Sequence, residues 1–296
     1  MITLRIPATS ANLGAGFDSL GLALSMYNEV QMEEYDGIDI QSADDVAVPT
    51  DQSNLIYSSA RRIYELCGKP FPGLRIVQTN NIPMTRGLGS SSACIIAGIC
   101  GANHMLGHPF TPDDLVNMAA YIEGHPDNTT PALMGGIVTA VFDTQKVYWV
   151  KQEVDSHLKF VALIPDFELS TELARKRLPA QVSHQDAVFN LSRAALFSAS
   201  LLSGKYENLK VATCDRLHQP YRKDLIKGYD DVLDAAGRLG AYGVYISGAG
   251  PTIMAIVDEK NTLFPLQIRR QLKALGLGGW RVEELHIDNR GAQIVE

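Results

Sequence analysis

Three glycine-rich stretches hold the residues best suited to chemistry. PMTRGLGSSSA, residues 83–93, crowds three serines and two glycines into a turn ahead of an almost uninterrupted apolar run. Glycine permits positive φ and close backbone approach, and serine hydroxyls can cap a helix. The expected result is a row of unpaired amides at a helix N-terminus, which is an anion site. A capped, buried helix behind a turn explains this stretch alone equally well. A Walker A loop is excluded, because its G-x-x-x-x-G-K-[ST] pattern with the lysine is absent.

The other two stretches are PATSANLGAGFDSLGLAL (7–24), with Asn12 and Asp18 around Gly14 and Gly16, and VYISGAGPTIMAI (244–256), with SGAGP between two apolar strands. Ordinary turns need only one or two glycines, so a plain turn accounts for each singly and for three together less well. Glu123 closes a predicted helix just before a Gly124 cap. A carboxylate there faces the negative end of the helix dipole, which makes sense beside a cation; a solvated surface glutamate is the alternative. His104 and His108 are four apart, but Gly107 and Pro109 interrupt the helix, so they read as ordinary helix-end histidines.

These residues need a sizeable scaffold. The 296 residues, 46% hydrophobic, can bury a full core, and the length suits two domains better than one. A net charge of −7 argues against a nucleic-acid binder, which needs a basic face. The start, MITLRIPATSANLG, lacks the basic flank, apolar core and cleavage site of a signal peptide, and the apolar run 93–102 falls short of a membrane span of about 20 residues. Cys67, Cys94, Cys100 and Cys214 are scattered, as suits reduced thiols. A soluble, cytoplasmic chain is expected, with no nucleic-acid or membrane partner.

Periodicity predicts helices over 54–66, 91–105, 113–123, 171–177, 187–203, 223–239 and 264–275, and strands at LRIPA, YNEVQMEEY, GLRIVQT, GGIVTAVFD, KVYWVKQ, KFVALIP, GVYIS, TIMAIVD and WRVEELHI. The third helix has a clear start, with Thr111 as cap, Pro112 in its first turn and Asp113 and Asp114 at its positive end. Elements that do not alternate strictly argue for α+β. The polar stretch KQEVDSH, between two strand-like runs, places a domain boundary between about 150 and 159.

In order, PATSANLGAGFD, P-x-x-x-GLGSSSA and SGAGPT resemble the GHMP kinases, and the similarity runs over nearly the whole chain. Within that superfamily SANLGAGFD, EGHPDN followed by PALMGG, STELARKRLP and SGAGPT are most similar to members that phosphorylate homoserine. The resemblance implies a two-domain α+β GHMP kinase fold. On that resemblance residues 1–154 are expected to form an ATP-binding domain like the second domain of ribosomal protein S5, and residues 155–296 a ferredoxin-like domain. It also implies an enzyme that uses ATP to phosphorylate the side-chain hydroxyl of L-homoserine, giving O-phospho-L-homoserine in threonine biosynthesis, and it makes a homodimer plausible.

The implied nucleotide site comprises Pro83, Arg86 at the mouth, and Gly87, Leu88, Gly89, Ser90, Ser91 and Ser92 around the phosphates, with the adenine pocket near Asn54 and Leu55. Ser91 and Glu123 become Mg²⁺ ligands, phosphate oxygens and waters completing the octahedron. An amino-acid acceptor needs separate partners for its two charges. Asp18 suits the ammonium, Asn12 and Asn128 the polar groups, and Arg175 and Arg222 the carboxylate, with Thr171 nearby and Arg177 as the alternative to Arg175. Phosphoryl transfer through a loose transition state asks for positioning and charge neutralisation. The implied catalytic set is therefore Ser91, Glu123 and Asn128, the last orienting the hydroxyl, with no dedicated base; Asp127 is the alternative base. Two competing readings stand beside this one: another GHMP small-molecule kinase (mevalonate or diphosphocytidyl-methylerythritol type), or a catalytically silent ligand-binding regulator, whose phosphate loop should be degraded although GLGSSSA is intact here.

Overall fold

The computed structural model describes residues 1–154 and 157–295. The first half lays down β1 (Ile2–Ala11), β2 (Leu20–Glu34), β3 (Gly37–Ser42), α1 (Leu55–Leu66), β4 (Gly73–Thr79), α2 (Ser90–Met105), α3 (Pro112–Glu123), α4 (Pro126–Met134), β5 (Ile137–Asp143) and β6 (Lys146–Gln152). The long β2 is the spine of this sheet. Its far half pairs with β4, its near half with β5, and β1 runs antiparallel along its length. The β1/β2 register shifts between Pro7 and Ala8, beside a residue that has no N–H to give the ladder. β3 pairs β4 in parallel, with α1 as the crossover.

The second half runs β7 (Leu158–Ile164), α5 (Thr171–Lys176), α6 (His184–Ser203), α7 (Leu209–Ala212), α8 (Gln219–Arg222), α9 (Tyr229–Arg238), β8 (Gly243–Ile246), β9 (Ile253–Asp258), α10 (Phe264–Ala274) and β10 (Arg281–Leu285). Its sheet is antiparallel in the order β10-β7-β9-β8, the ferredoxin-like β-α-β-β-α-β arrangement with additional helices inserted after β7. LKFVALI and IMAIVD, the two inner strands, are buried on both faces and accordingly read as continuous apolar runs. The last strand, β11 (Gln293–Val295), returns to pair with β1 in the first sheet. The expected domain boundary at 154/155 lies at residues 155–156, outside the described residues.

One core joins the two sheets. Leu4, Ile6 and Ile96 of the first half and Phe160, Met254 and Leu285 of the second belong to a single buried cluster, each such side chain stabilising by about 1.5–3 kcal/mol on burial. α2 runs through that cluster, and a Cβ at Gly98 would collide with the carbonyl of Ile56 on α1. Such close packing fixes where the N-terminus of α2 points.

Several elements depart from expectation, among them the unforeseen α7, α8 and β11. The helix expected over 223–239 is broken: a 3₁₀ turn at Lys223–Leu225 and an extended Ile226 precede α9, which starts after Gly228 at φ 75°. α4 was not foreseen, because HPDNTTPALM contains Pro126 and Pro131 and looks like a loop; Pro126 takes the tolerated first position, while Pro131 sits inside the helix. β3 was missed because GIDIQS is largely exposed and has no strong apolar pattern.

Candidate active site

The three glycine-rich stretches converge on one cleft. α2 begins after Gly89, whose φ is 72°, and no side chain among the described residues caps its first turn. The serines therefore do not serve as caps. Ser90, Ser91 and Ser92 form the first turn itself, leaving its amides available to an anion. Upstream, Gly87 has φ 74°, and a Cβ there would strike the Ser247 carbonyl. Its own carbonyl accepts from Ser247 Oγ at 2.6 Å, and Ser10 Oγ lies 2.8 Å from that hydroxyl. Buried hydroxyls thus tie the first and third stretches to the phosphate-type loop of the second.

Arg86 lines the cleft, but its guanidinium is occupied elsewhere. Nε donates to Pro165 O at 3.1 Å, Nη2 to Asp166 O at 3.4 Å and Nη1 to Met84 O at 3.3 Å, with Glu168 3.5 Å from Nη1. It joins the loop to the second sheet's domain.

Glu123 is the last residue of α3, ahead of Gly124 at φ 90°, as the sequence suggested. Ser92 Oγ donates to its Oε1 at 3.0 Å and Ser91 Oγ to its Oε2 at 3.3 Å. No ion pair forms on this carboxylate among the described residues, and the set is one of hard oxygen donors at the mouth of an anion site. Such donors fit Mg²⁺. Asp18, His125 and Asp127 form a second group compact enough for a cation. Asp127 Oδ1, however, is 2.6 Å from His125 Nδ1 and Asp18 is paired with Arg175, so those ligand atoms are already engaged. Burial opposes charge on His125 most strongly, but Asp127, Glu123 and Asp18 outweigh it and raise its pKa.

The opposite wall carries the charges for a zwitterion. Asn12 and Asp18 sit in the left-handed region at φ 70° and 52°, where Asn and Asp are the best-tolerated side-chain-bearing residues. Asn12 Oδ1 accepts from the Asp18 amide at 3.0 Å while its Nδ2 donates to Gly248 O at 2.8 Å, bracing the first stretch against the third. Arg175, on α5, and Arg222, on α8, both reach the cleft, as does Thr171; Arg177 is exposed and does not. Arg222 is 2% exposed, and its Nη1 donates to His218 Nδ1 and Gly248 O, both at 3.0 Å. Its Nε is buried without a partner among the described residues, and burial first, then Arg175, pushes its pKa down to about 10. A buried cation with no carboxylate of its own among the described residues is set to receive one from a ligand.

Asn128 lines the same cleft. Its Oδ1 accepts from Thr9 Oγ1 at 2.8 Å, so its amide NH₂ is what it offers the cleft. Three expected nucleotide residues lie outside this cleft. Asn54 is the N-cap of α1: Oδ1 accepts from Ile56 and Tyr57, and Nδ2 donates to Pro49 O and Gln78 Oε1, so its polar atoms are committed. Leu55 lines an adjoining cleft with Ser91, Ile95 and Glu123. Pro83 is half-buried, three residues before Arg86. Sequence reasoning missed Thr9, His125 and His218. The first two flank quoted motif residues, so the motifs themselves pointed to them; His218 gave no signal, because its partners are assembled by the fold.

Comparison with known proteins shows the family. Residues 54–136 match the GHMP kinases N terminal domain and residues 197–276 the GHMP kinases C terminal domain. The chain is 47% identical to the homoserine kinase of Clostridium beijerinckii, covering 100% of this chain and 99% of that one, and 46% identical to the homoserine kinase of Caldicellulosiruptor bescii, covering 99% and 97%. The crystal structure of homoserine kinase from Cytophaga hutchinsonii superposes with a TM-score of 0.88 at 30% identity, covering 99% of this chain and 97% of that one. A mevalonate kinase structure at 14% identity and TM-score 0.70 shares the fold. With identity of this order over the full length, and the three motifs gathered at one cleft, the chain belongs to the homoserine kinase family of the GHMP kinases.

Proposed function

We propose that the protein transfers the γ-phosphoryl group of ATP to the side-chain hydroxyl of L-homoserine, giving O-phospho-L-homoserine and ADP, as a cytoplasmic step of threonine biosynthesis. The observation that carries the substrate is the juxtaposition of buried Arg222, Arg175 and Asp18 beside the serine loop. An α-amino acid presents one carboxylate and one ammonium, the inverse of that set. A mevalonate-type acceptor has no ammonium to offer Asp18, and a sugar has no carboxylate for buried Arg222, whose charge would stay unpaired at a cost. The intact loop and Glu123 disfavour a silent regulator.

In this mechanism Arg222 and Arg175 hold the carboxylate, Asp18 takes the ammonium, and Asn12 and Thr171 shape the pocket around them. The amides of Gly87–Ser92 hold the triphosphate at the N-terminus of α2, whose dipole favours anionic charge. Leu55 lies toward the adenine. Asn128, with its NH₂ directed into the cleft, hydrogen-bonds the acceptor oxygen and orients it. That oxygen forms the new bond to phosphorus as the bond to the ADP oxygen breaks, and the hydroxyl proton leaves late, to a phosphoryl oxygen or solvent. We assign no dedicated base, because a loose transition state lets the proton leave late, and Asp127 is engaged with His125. Glu123 and Ser91 would hold Mg²⁺, which when bound neutralises phosphate charge.

The test is ADP release from MgATP with homoserine, mevalonate, galactose and serine offered separately. Turnover confined to homoserine supports the reading. Turnover of mevalonate or galactose without homoserine refutes the substrate, and ATP binding with no turnover refutes the enzyme.

A further inference from the structure

Arg222 must point its guanidinium at a ligand carboxylate, yet no carboxylate of the protein holds it among the described residues. What holds it is a histidine. A guanidinium can only donate, so the 3.0 Å contact from Arg222 Nη1 makes His218 Nδ1 an acceptor. The proton of the neutral ring then sits on Nε2, which is 2.8 Å from the Gly14 carbonyl and donates to it. Both ring nitrogens are thereby committed to one tautomer. The ring is fully buried and stacks on Phe17 at 5.3 Å between centroids, and the same Phe17 lies 5.3 Å beneath Arg222 and 5.8 Å beneath Arg175. Asp215 fixes the turn before α8 by accepting from the amides of Leu217, His218 and Gln219 and from Asn190.

We propose that His218 is a positioning residue for substrate recognition: as the neutral Nε2–H tautomer it spans Gly14 and Arg222 and aims the guanidinium at the acceptor's carboxylate. This builds on the homoserine reading above. Its surroundings favour the neutral ring. Burial lowers its pKa most; Asp215, 3.7 Å from Nε2, opposes that shift, and Arg222 adds to it.

Two measurements test this. Nitrogen NMR of the ¹⁵N-labelled full-length protein near neutral pH should show His218 with an unprotonated Nδ1 and a protonated Nε2. A doubly protonated ring or the Nδ1–H tautomer would overturn the proposal, and neither result depends on turnover. The second compares His218→Asn with His218→Leu, which are nearly equal in size, while only Asn can place an acceptor near Nδ1. His218→Leu should raise the KM for homoserine roughly tenfold or more, as for loss of a charge-assisted hydrogen bond, with the KM for ATP little changed. His218→Asn should recover most of that loss. Equal effects of both variants would reduce His218 to packing and overturn the proposal; if the Leu variant does not fold, a tenfold rise in His218→Asn does the same. A wild-type protein that shows the expected tautomer but no homoserine turnover would sink the substrate reading and leave the placement of Arg222 intact.

Discussion

Asp18 and Arg175, 157 residues apart in the chain, meet at the cleft in a two-pronged ion pair, with Nη2 2.9 Å from Oδ1 and Nη1 3.2 Å from Oδ2. Both partners are about a third exposed, so the pair itself contributes little to stability. An amino acid entering between them would exchange one internal pair for two external ones. Asp18→Asn should therefore raise the KM for homoserine at least about tenfold and leave the KM for ATP nearly unchanged. Initial-rate kinetics with each substrate varied would show it, and an equal rise in both KM values would remove Asp18 from the acceptor pocket.

Ser91 and Glu123 make separable predictions. Ser91→Ala should lower kcat by about 100-fold or more, by analogy with losing one preorganised stabilising group, without loss of fold by circular dichroism. Glu123→Gln should lose activity and regain part of it at high Mg²⁺. Near-normal activity of the first at saturating ATP, or indifference of the second to Mg²⁺, would mean these groups only fasten α2 to α3.

Much of this site was legible in the sequence because its chemistry is local. Glu123 before a cap glycine, and serines opening an apolar helix, announce themselves within a few residues, and the antiparallel strands of the second sheet are plain as apolar runs. What stayed hidden depends on contacts distant in sequence. Arg86 read as a residue at the mouth of the nucleotide site, but its carbonyl partners, 79 and 80 residues away, could not be seen in the sequence. His218 is meaningful only beside Gly14, 204 residues away. α4 carries Asn128, yet its prolines disguise it as a loop.

Arg222 should trade stability for recognition. Its pKa is pushed down to about 10, below its ordinary value, so the fold disfavours its charged form; that penalty is fully present at neutral pH and is relieved only as pH rises through about 10 and above. Arg222→Met should leave Tm unchanged or raised near pH 7, with any gain shrinking above about pH 10. Calorimetry across that range checks it. A marked fall in Tm at pH 7 would show that the guanidinium's hydrogen bonds outweigh its desolvation.

Arg86→Met should weaken the join between loop and second domain. We expect a stability loss of roughly 1–3 kcal/mol for the lost hydrogen bonds and a moderate rise in the KM for ATP, read by denaturant unfolding and kinetics. A collapse of kcat at unchanged stability would instead place this guanidinium on the phosphates.

Recognition of the acceptor's carboxylate by Arg222 is the central claim, and a cycle of one variant against one altered substrate tests it most directly. kcat/KM is measured for wild type and Arg222→Met, each with homoserine and with the analogue whose carboxylate is reduced to an alcohol. Truncating one partner of a desolvated charge pair costs about 2–5 kcal/mol. Wild type should lose that much with the analogue, whereas the variant should lose clearly less, only the share carried by Arg175, because the Arg222 contact is already gone. If the two losses simply add, Arg222 does not touch the carboxylate, and the account of substrate recognition is wrong.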